Sequence, residues 1–515
     1  MVSAKWYVRA LFAATALVAA EAPALAQKSA DTLRVVWWDQ IVNVNPYFNQ
    51  LRSGLIVAHH AFDGLVYRDP NGFVIKPALA TSWKYTDPTT IEFALRRGVK
   101  FHDGSPFTAD DVIYTINTVL KDKQVSVPSN FTWIDGADKV DDFTVRIRTK
   151  RVFPAAMEYL AMVVPIIPQA YREKIGYDAY DKLPVGAGPY KITRIDGVNQ
   201  IDLERFEDYY KDAPKTRPAI RKMVIHMVTD ATTAQNEIIG NKADWTWNVI
   251  PDMVDKLGAL PYLKTERAET MRVNLLNLDA AGRSGADNPI TKQKVRQAII
   301  HAIDRESIAK NLMQGGSRVL PAPCFPTQFG CDAAAAMLYP YDPAKSRALL
   351  AEAGYPNGFE TELVSYVLPQ FEGAIQNYLK AVGITAKVTH LQVQALIQRQ
   401  LEGKNPLDLG NWGSYSINDV SAFLPQYYSG AFAEGTFSTS DFARDAEVQR
   451  LVIAGSSTTD PVERKKNYSA AIKRITEQAF IVPLYTNVAT YAYRKELEFK
   501  PWSDEMPRFY LSAWK

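Results

Sequence analysis

Side chains able to carry bond-making chemistry are scattered in this sequence, while those suited to recognition gather in short segments. The six histidines, His59, His60, His102, His226, His301 and His390, contain no pair at a zinc-binding interval such as HExxH, and the two cysteines form no CxxC. Ser307-Ile-Ala-Lys310 matches the SxxK tetrapeptide of acylating serine enzymes, but neither SDN nor KTG accompanies it, and it falls inside a helix predicted from Val295 onward. No G-x-S-x-G elbow and no phosphate-cradling Walker loop is present. The reading is a non-enzyme that needs no cofactor and no metal.

Recognition is better supplied. Tyr and Trp stack and hydrogen-bond at once, and the chain has 26 and 10 of them. Trp412 lies in the Gly- and Ser-rich stretch Leu409–Asp419, away from the middle of a regular element. Trp245 and Trp247 alternate, so both face one side of a strand, either the wall of a cleft or the core. Trp37 and Trp38 close the first predicted strand and must point opposite ways; Trp38, nearer the end, is the cleft candidate. Arg272 opens the apolar run RVNLLNL and can pair with a ligand carboxylate in bidentate fashion, or form a surface salt bridge. Tyr366, just past a predicted strand, is a further candidate. Asp419 is either a ligand contact or the cap of a helix beginning near Val420.

The start of the chain reads as an export signal. Lys5 and Arg9 precede the apolar run Leu11–Ala20, which is too short to span a bilayer, and Ala24-Leu25-Ala26 supplies a small-x-small cleavage site before Gln27. No Cys follows the cut, so no lipid anchor is expected, and the mature protein is expected to be Gln27–Lys515, soluble and outside the cytoplasm. Export permits disulfides. Cys324 and Cys331 share a Pro- and Gly-rich loop; bridging them would stabilise by about 2.5 kcal/mol, and two buried free thiols are the alternative.

Positioning these residues takes more than one core. The chain has 515 residues, whereas a single core stops growing at about 250–300. Its net charge of +3 offers no electrostatic case for nucleic acid. Short strands are predicted at Thr32–Trp38, Thr89–Leu95, Asp142–Arg148, Ile201–Arg205, Met223–Met227 and Arg272–Leu278. A helix follows the Thr108-Ala-Asp-Asp111 cap, another runs from Val295 through Ile303 to a stop at Gly315-Gly316, and two more open at Asp342-Pro343 and Asp460-Pro461. Strands at Glu360–Val364 and Ile384–Val388 and a long β-rich segment from Ala479 to Tyr493 complete a mixed α/β pattern in several lobes.

The blocks Pro77-Ala-Leu-Ala-Thr-Ser-Trp83, Phe93–Gly104 and Pro106–Tyr114 resemble the signature region of the family 5 extracellular solute-binding proteins, which include dipeptide- and oligopeptide-binding components of ABC importers. The resemblance continues in order through Gly186–Tyr190, Asp208–Lys211, Val295–Met313, Tyr341–Lys345, Arg464–Phe480 and Pro483–Tyr485, so it covers nearly the whole mature chain. It implies a bilobal α/β fold that closes on a ligand. Lobe one is expected from 27–279 and 480–515, with a subdomain at about 61–185, and lobe two from 280–479. The crossings between them are expected at Met271–Asp279 and Phe480–Tyr493.

In related peptide binders a Trp at the place of Trp412 lines the side-chain pocket, and an Asp three positions later pairs with the peptide α-amino group. Here that position is Tyr415, which carries no negative charge at pH 7, so recognition of a free peptide N-terminus has lost its usual partner. Asp419 is a candidate replacement. The function implied is a monomeric periplasmic component that hands a peptide, or a peptide-like or opine-like compound, to an ABC permease. A nickel-type chelate binder of the same family, an exported serine hydrolase and a ligand-loaded chemoreceptor partner are the alternatives. The loops Gln392–Leu407 and Ser414–Phe432 are expected to shape the pocket.

Overall fold

The computed structural model describes residues 31–515 other than 42, 50, 51, 314 and 430–434, and Tyr415 by its backbone alone. The expected export signal lies outside the described residues.

Two long antiparallel strands, Leu263–Leu278 and Ile481–Arg494, form the spine, paired from Leu263 opposite Arg494 to Asn277 opposite Ile481. β-Branched and aromatic residues crowd the second of them, as a strand packed on both faces requires. On one side the sheet continues through Trp245–Trp247, Thr32–Trp37, Lys222–Met227, Gln200–Arg205 and Tyr190–Asp196; on the other through Leu407–Trp412, Phe359–Ser365 and Ile384–His390. The ten strands make one sheet. Each wing carries a parallel set, Thr32–Trp37 between Lys222–Met227 and Trp245–Trp247, and Phe359–Ser365 between Ile384–His390 and Leu407–Trp412.

The cores divide along the same line. One cluster joins residues of the first half, from Leu33 to Trp247, to Ala489–Tyr510 near the C-terminus. Two others are built from residues between Met271 and Tyr485. The four-stranded antiparallel sheet Ala80–Asp87, Thr90–Leu95, Thr144–Thr149, Ile134–Asp141 belongs to the first. Helix Ala109–Lys121 packs beside it and starts in a capping box, in which Thr108 N donates to Asp111 Oδ2 at 2.9 Å. The Gly186-Ala-Gly-Pro-Tyr190 turn is glycine-rich for a steric reason: a Cβ at Gly186 or Gly188 would lie 2.2 and 2.5 Å from the backbone of Ala61.

Three elements differ from the sequence reading. The strand expected from Arg272 begins at Leu263, because the polar run KTERAET pairs with the spine although its pattern carries little apolar signal. The single helix expected after Val295 is two, Gln293–Ala302 and Arg305–Leu312, because Asp304 caps the second by accepting from Ser307 N at 2.9 Å. That cap also holds Ser307 Oγ on Asp304 Oδ2 at 2.7 Å, which ties up the serine of the SxxK match. The segment after Asp419 forms only the short 3-10 turn Val420–Ala422 before helix Leu424–Tyr428.

Candidate functional site

Strand directions fix where a ligand can sit. Trp245–Trp247 runs antiparallel to Ile481–Arg494, which runs antiparallel to Leu263–Leu278, which in turn runs antiparallel to Leu407–Trp412. The parallel sets of the two wings therefore point toward each other, carboxyl end to carboxyl end, and those ends are where open α/β sheets bind ligands. Trp247 pairs with Tyr491, which pairs with Glu266, while Trp412 pairs with Val273. At about 3.3 Å per residue, the seven positions from Glu266 to Val273 set the two carboxyl edges roughly 23 Å apart along the spine. A register shift between Glu269 and Val273 interrupts the ladder in that gap and a second, between Val273 and Leu275, lies just beyond it, irregularities of the kind that bend a strand, here between the lobes.

Arg272 stands at this bend. Its Nη2 donates to Glu505 Oε2 at 2.9 Å, its Nε to Glu505 Oε1 at 3.3 Å and its Nη1 to Asn411 Oδ1 at 3.0 Å. Arg52, at the start of helix Arg52–Ala61, reaches the same carboxylate at 3.3 Å. Burial alone would raise the Glu505 carboxyl; Arg272 and Arg52 outweigh it and hold the group below its ordinary value. Beside it, the fully buried Asp504 accepts from Arg68 Nη2 at 2.8 Å and Arg508 Nη2 at 2.6 Å, and these cations likewise overcome desolvation and depress its pKa. The only sequence signal for Asp504 and Glu505 was their place in a short charged stretch near the C-terminus, which carries no periodicity.

The expected residues distribute around this centre. Trp412 ends its strand half-buried, with Nε1 donating to the Ala422 carbonyl at 3.2 Å and its ring edge-on to Tyr427 at 5.8 Å. Tyr366 is half-buried, and its hydroxyl donates to Asn411 O and accepts from Asn411 N, both at 3.0 Å, so it props the strand that leads to Trp412. The side chain of Tyr415 lies outside the described residues; its neighbours Ser414 and Ser416 both have left-handed backbone, φ 49° and 62°. Asp419 does not join the centre. Its Oδ1 caps the turn by accepting from Ser421 N at 2.9 Å, and its Oδ2 accepts from the buried Arg464 at 2.8 Å, which is the cap alternative of the sequence reading with an ion pair added.

In lobe one, Trp247 is 5% exposed and packs tilted against Trp37, ring centroids 4.9 Å apart, in a cluster with Trp245 and Tyr491; its indole N–H has no hydrogen-bond acceptor among the described residues. Trp38 points the other way and is 41% exposed. The next residue, Asp39, was not singled out from the sequence. Ser53 Oγ lies 2.7 and 2.5 Å from its two oxygens, and no cation pairs with it among the described residues. Burial without a counter-charge raises its pKa, with Ser53 and the Trp37 indole opposing.

Cys324 and Cys331 are bridged. Among the described residues no group of three or more His, Cys, Asp or Glu side chains is placed to hold a metal ion, and no helix is long and apolar enough to cross a membrane.

The family model described as bacterial extracellular solute-binding proteins, family 5 Middle, matches residues 74–434. The chain is 28% identical over 476 residues to di/tripeptide-binding protein 1 of Pseudomonas aeruginosa, covering 85% of each chain. Among solved structures it is similar to a dipeptide-binding protein from Pseudoalteromonas sp. SM9913 in complex with Met-Leu, with TM-score 0.78, 23% identity and coverage of 94% of this chain and 100% of that one. It is also similar to AgaA from A. tumefacien R10 in complex with agropinic acid, with TM-score 0.75, 25% identity and coverage of 94% and 98%.

Proposed function

Because this chain belongs to the bacterial extracellular solute-binding proteins of family 5, we propose that it captures a peptide or an opine-like amino-acid conjugate in the periplasm and passes it unchanged to an ABC permease. Family members bind their solute between two lobes, and the relatives compared above are binding proteins rather than enzymes. The observation that carries the reading is the meeting of two carboxyl edges across the bend at Arg272, with aromatic side chains on both. Lobe one is 27–279 with 480–515, including the subdomain at about 61–185, and lobe two is 280–479. Residues 1–26 are removed on export, no lipid is attached, and the mature chain acts as a monomer.

Ligand contacts come from Trp38, Trp247 and Asp39 in lobe one and from Trp412, Tyr415 and Tyr366 in lobe two. Arg272 acts from the bend. Asp39 supplies the negative charge for a ligand ammonium, since it is a desolvated carboxylate at a carboxyl edge without a cation of its own. Tyr415, in the place where peptide binders keep an Asp, leaves that charge to lobe one.

A ligand screen by thermal unfolding tests this. Dipeptides, glutathione, opines and nickel–histidine are added to Gln27–Lys515; a ligand at a hundred times its Kd adds about 2.7 kcal/mol. Stabilisation by a peptide or opine, with the same compound recovered intact, is the expected result. Stabilisation by nickel–histidine alone, or conversion of the bound compound, would contradict it.

A further inference from the structure

Charges at the bend do not balance. Arg508 pairs with Asp504 through both terminal nitrogens, at 3.0 and 2.6 Å, and Arg68 bridges Asp504 and Glu158, each at 2.8 Å. Those two cations therefore have two carboxylates. Arg52 and Arg272 have only Glu505 between them, at 3.3 and 2.9 Å. Four guanidinium groups thus face three carboxylates, and among the described residues no fourth carboxylate joins them. A guanidinium cannot shed its proton, so the surplus positive charge persists, and burying it without a counter-charge is costly. Glu505 keeps its shared position in left-handed backbone, φ 54°, which a non-glycine residue retains only where its surroundings enforce it.

The surplus comes closest to open space at Arg272. Its side chain is 27% exposed, against 0% for Arg68. Nε and Nη2 are engaged with Glu505 and Nη1 with Asn411, which leaves one N–H on each terminal nitrogen uncommitted among the described residues. Arg52 is more occupied, its Nη1 donating to Ser416 Oγ at 2.6 Å and to Asp504 O at 3.2 Å. Gly413, the residue after Trp412, keeps a side chain off the Arg272 guanidinium, since a Cβ there would lie 3.2 Å from Arg272 Cζ. The opposite mismatch starts from the same helix end. Ser53, which donates to Asp39, directly follows Arg52, so the first turn of helix Arg52–Ala61 serves both a carboxylate without a cation and a cation without its full counter-charge.

We propose that the solute carries a free carboxylate which supplies the missing counter-charge, docking on the two uncommitted N–H groups of Arg272 beside Trp412. Arg52 is the positioning residue: by drawing on Glu505 it keeps that carboxylate from neutralising Arg272 in full. With its ammonium at Asp39, the solute is a zwitterion whose two ends cancel two mismatches of opposite sign. A neutral amide of the same shape leaves the surplus cation uncompensated and is rejected on that account. The inference deepens the proposed function and rests on it.

Calorimetric titration of Gln27–Lys515 tests it with Ala-Leu against Ala-Leu amide and octopine against its diamide. The free acid is expected to bind about 10- to 100-fold more tightly than its amide, the scale of charge-assisted hydrogen bonds. Arg272→Gln leaves three cations with three carboxylates, so its fold should hold; it should weaken the acid by a similar factor and leave the amide unchanged. Glu505→Gln frees Arg272 and should tighten the acid instead. A merely structural role would loosen acid and amide together in both variants. Should Glu505→Gln fail to fold, the acid-to-amide ratios of the wild type and Arg272→Gln still decide the matter. An amide that binds the wild type as tightly as its acid would overturn the inference and leave the proposed function standing. Binding of none of the four compounds would count against the proposed function, and the inference would fall with it.

Discussion

Arg272 and Glu505 meet as a bidentate pair where the spine bends, one from the crossing strand and the other from the C-terminal segment. Glu505 also neutralises Arg52, so a single carboxylate separates two guanidinium groups. Replacing it by Gln leaves both cations without their shared counter-charge in a mostly buried setting. Glu505→Gln is expected to lower unfolding free energy by about 3 kcal/mol, read from urea denaturation. A change below about 0.5 kcal/mol would mean that solvent already screens the pair.

A different carboxylate, Asp408, sets a pH dependence. Asp408 is fully buried, and desolvation pushes its pKa up from 3.8 to about 6 despite hydrogen bonds from Asn405 and Asn277. Because the folded form keeps its proton to higher pH than the unfolded chain, this group costs stability as pH rises from about 4 to 6 and the cost stays in force above that. Asp408→Asn removes the titration. Its stability relative to wild type is therefore expected to rise by on the order of 2–3 kcal/mol between pH 4 and pH 7. A flat difference across that range would show that Asp408 ionises normally in its site.

Local patterns carried much of the fold and less of the site. The helix after Thr108, the caps at Asp342 and Asp460 and the strand Lys222–Met227 were legible because short-range chemistry decides them. The opposed directions of Trp37 and Trp38 followed from alternation alone. The break at Asp304 was hidden because Ile303 kept the apolar spacing across it, and the reach of the crossing strand was hidden because its first half is polar. Glu505 could not be anticipated, since its partners Arg272 and Arg52 lie hundreds of positions away; Asp504 has Arg508 four residues on, but its other cation, Arg68, is as distant. Asp419 was ambiguous for a similar reason: only the fold brings Arg464 to it and consumes its charge.

Asp39 makes a sharper prediction than the residues named from the sequence. Ser53 keeps the site polar, and an Asn side chain can still accept from that hydroxyl, so the fold should tolerate Asp39→Asn. Loss of the charge should weaken a dipeptide with a free amine by at least tenfold, the scale of one charge-assisted hydrogen bond. The N-acetylated form of the same dipeptide should bind the variant and the wild type alike. Calorimetric titration of both compounds separates the cases, and equal losses for both would remove Asp39 from ammonium recognition.

Trp412 tests the opposite wall. Its indole touches Tyr427 and the Ala422 carbonyl, and it ends its strand half-buried at the carboxyl edge of lobe two. If its exposed part is ligand surface, Trp412→Ala should weaken the stabilising solute 10- to 100-fold, because an aromatic wall contributes about 1–3 kcal/mol when its contact area is lost. Because the ring is only partly inside the core, the folding cost should stay below the 3–5 kcal/mol typical of a fully buried Trp. Phe at the same position retains the wall but not the bond to Ala422, and should recover most of the affinity. A variant that binds normally but unfolds several kcal/mol earlier would make Trp412 a packing residue and move the pocket wall toward Tyr366.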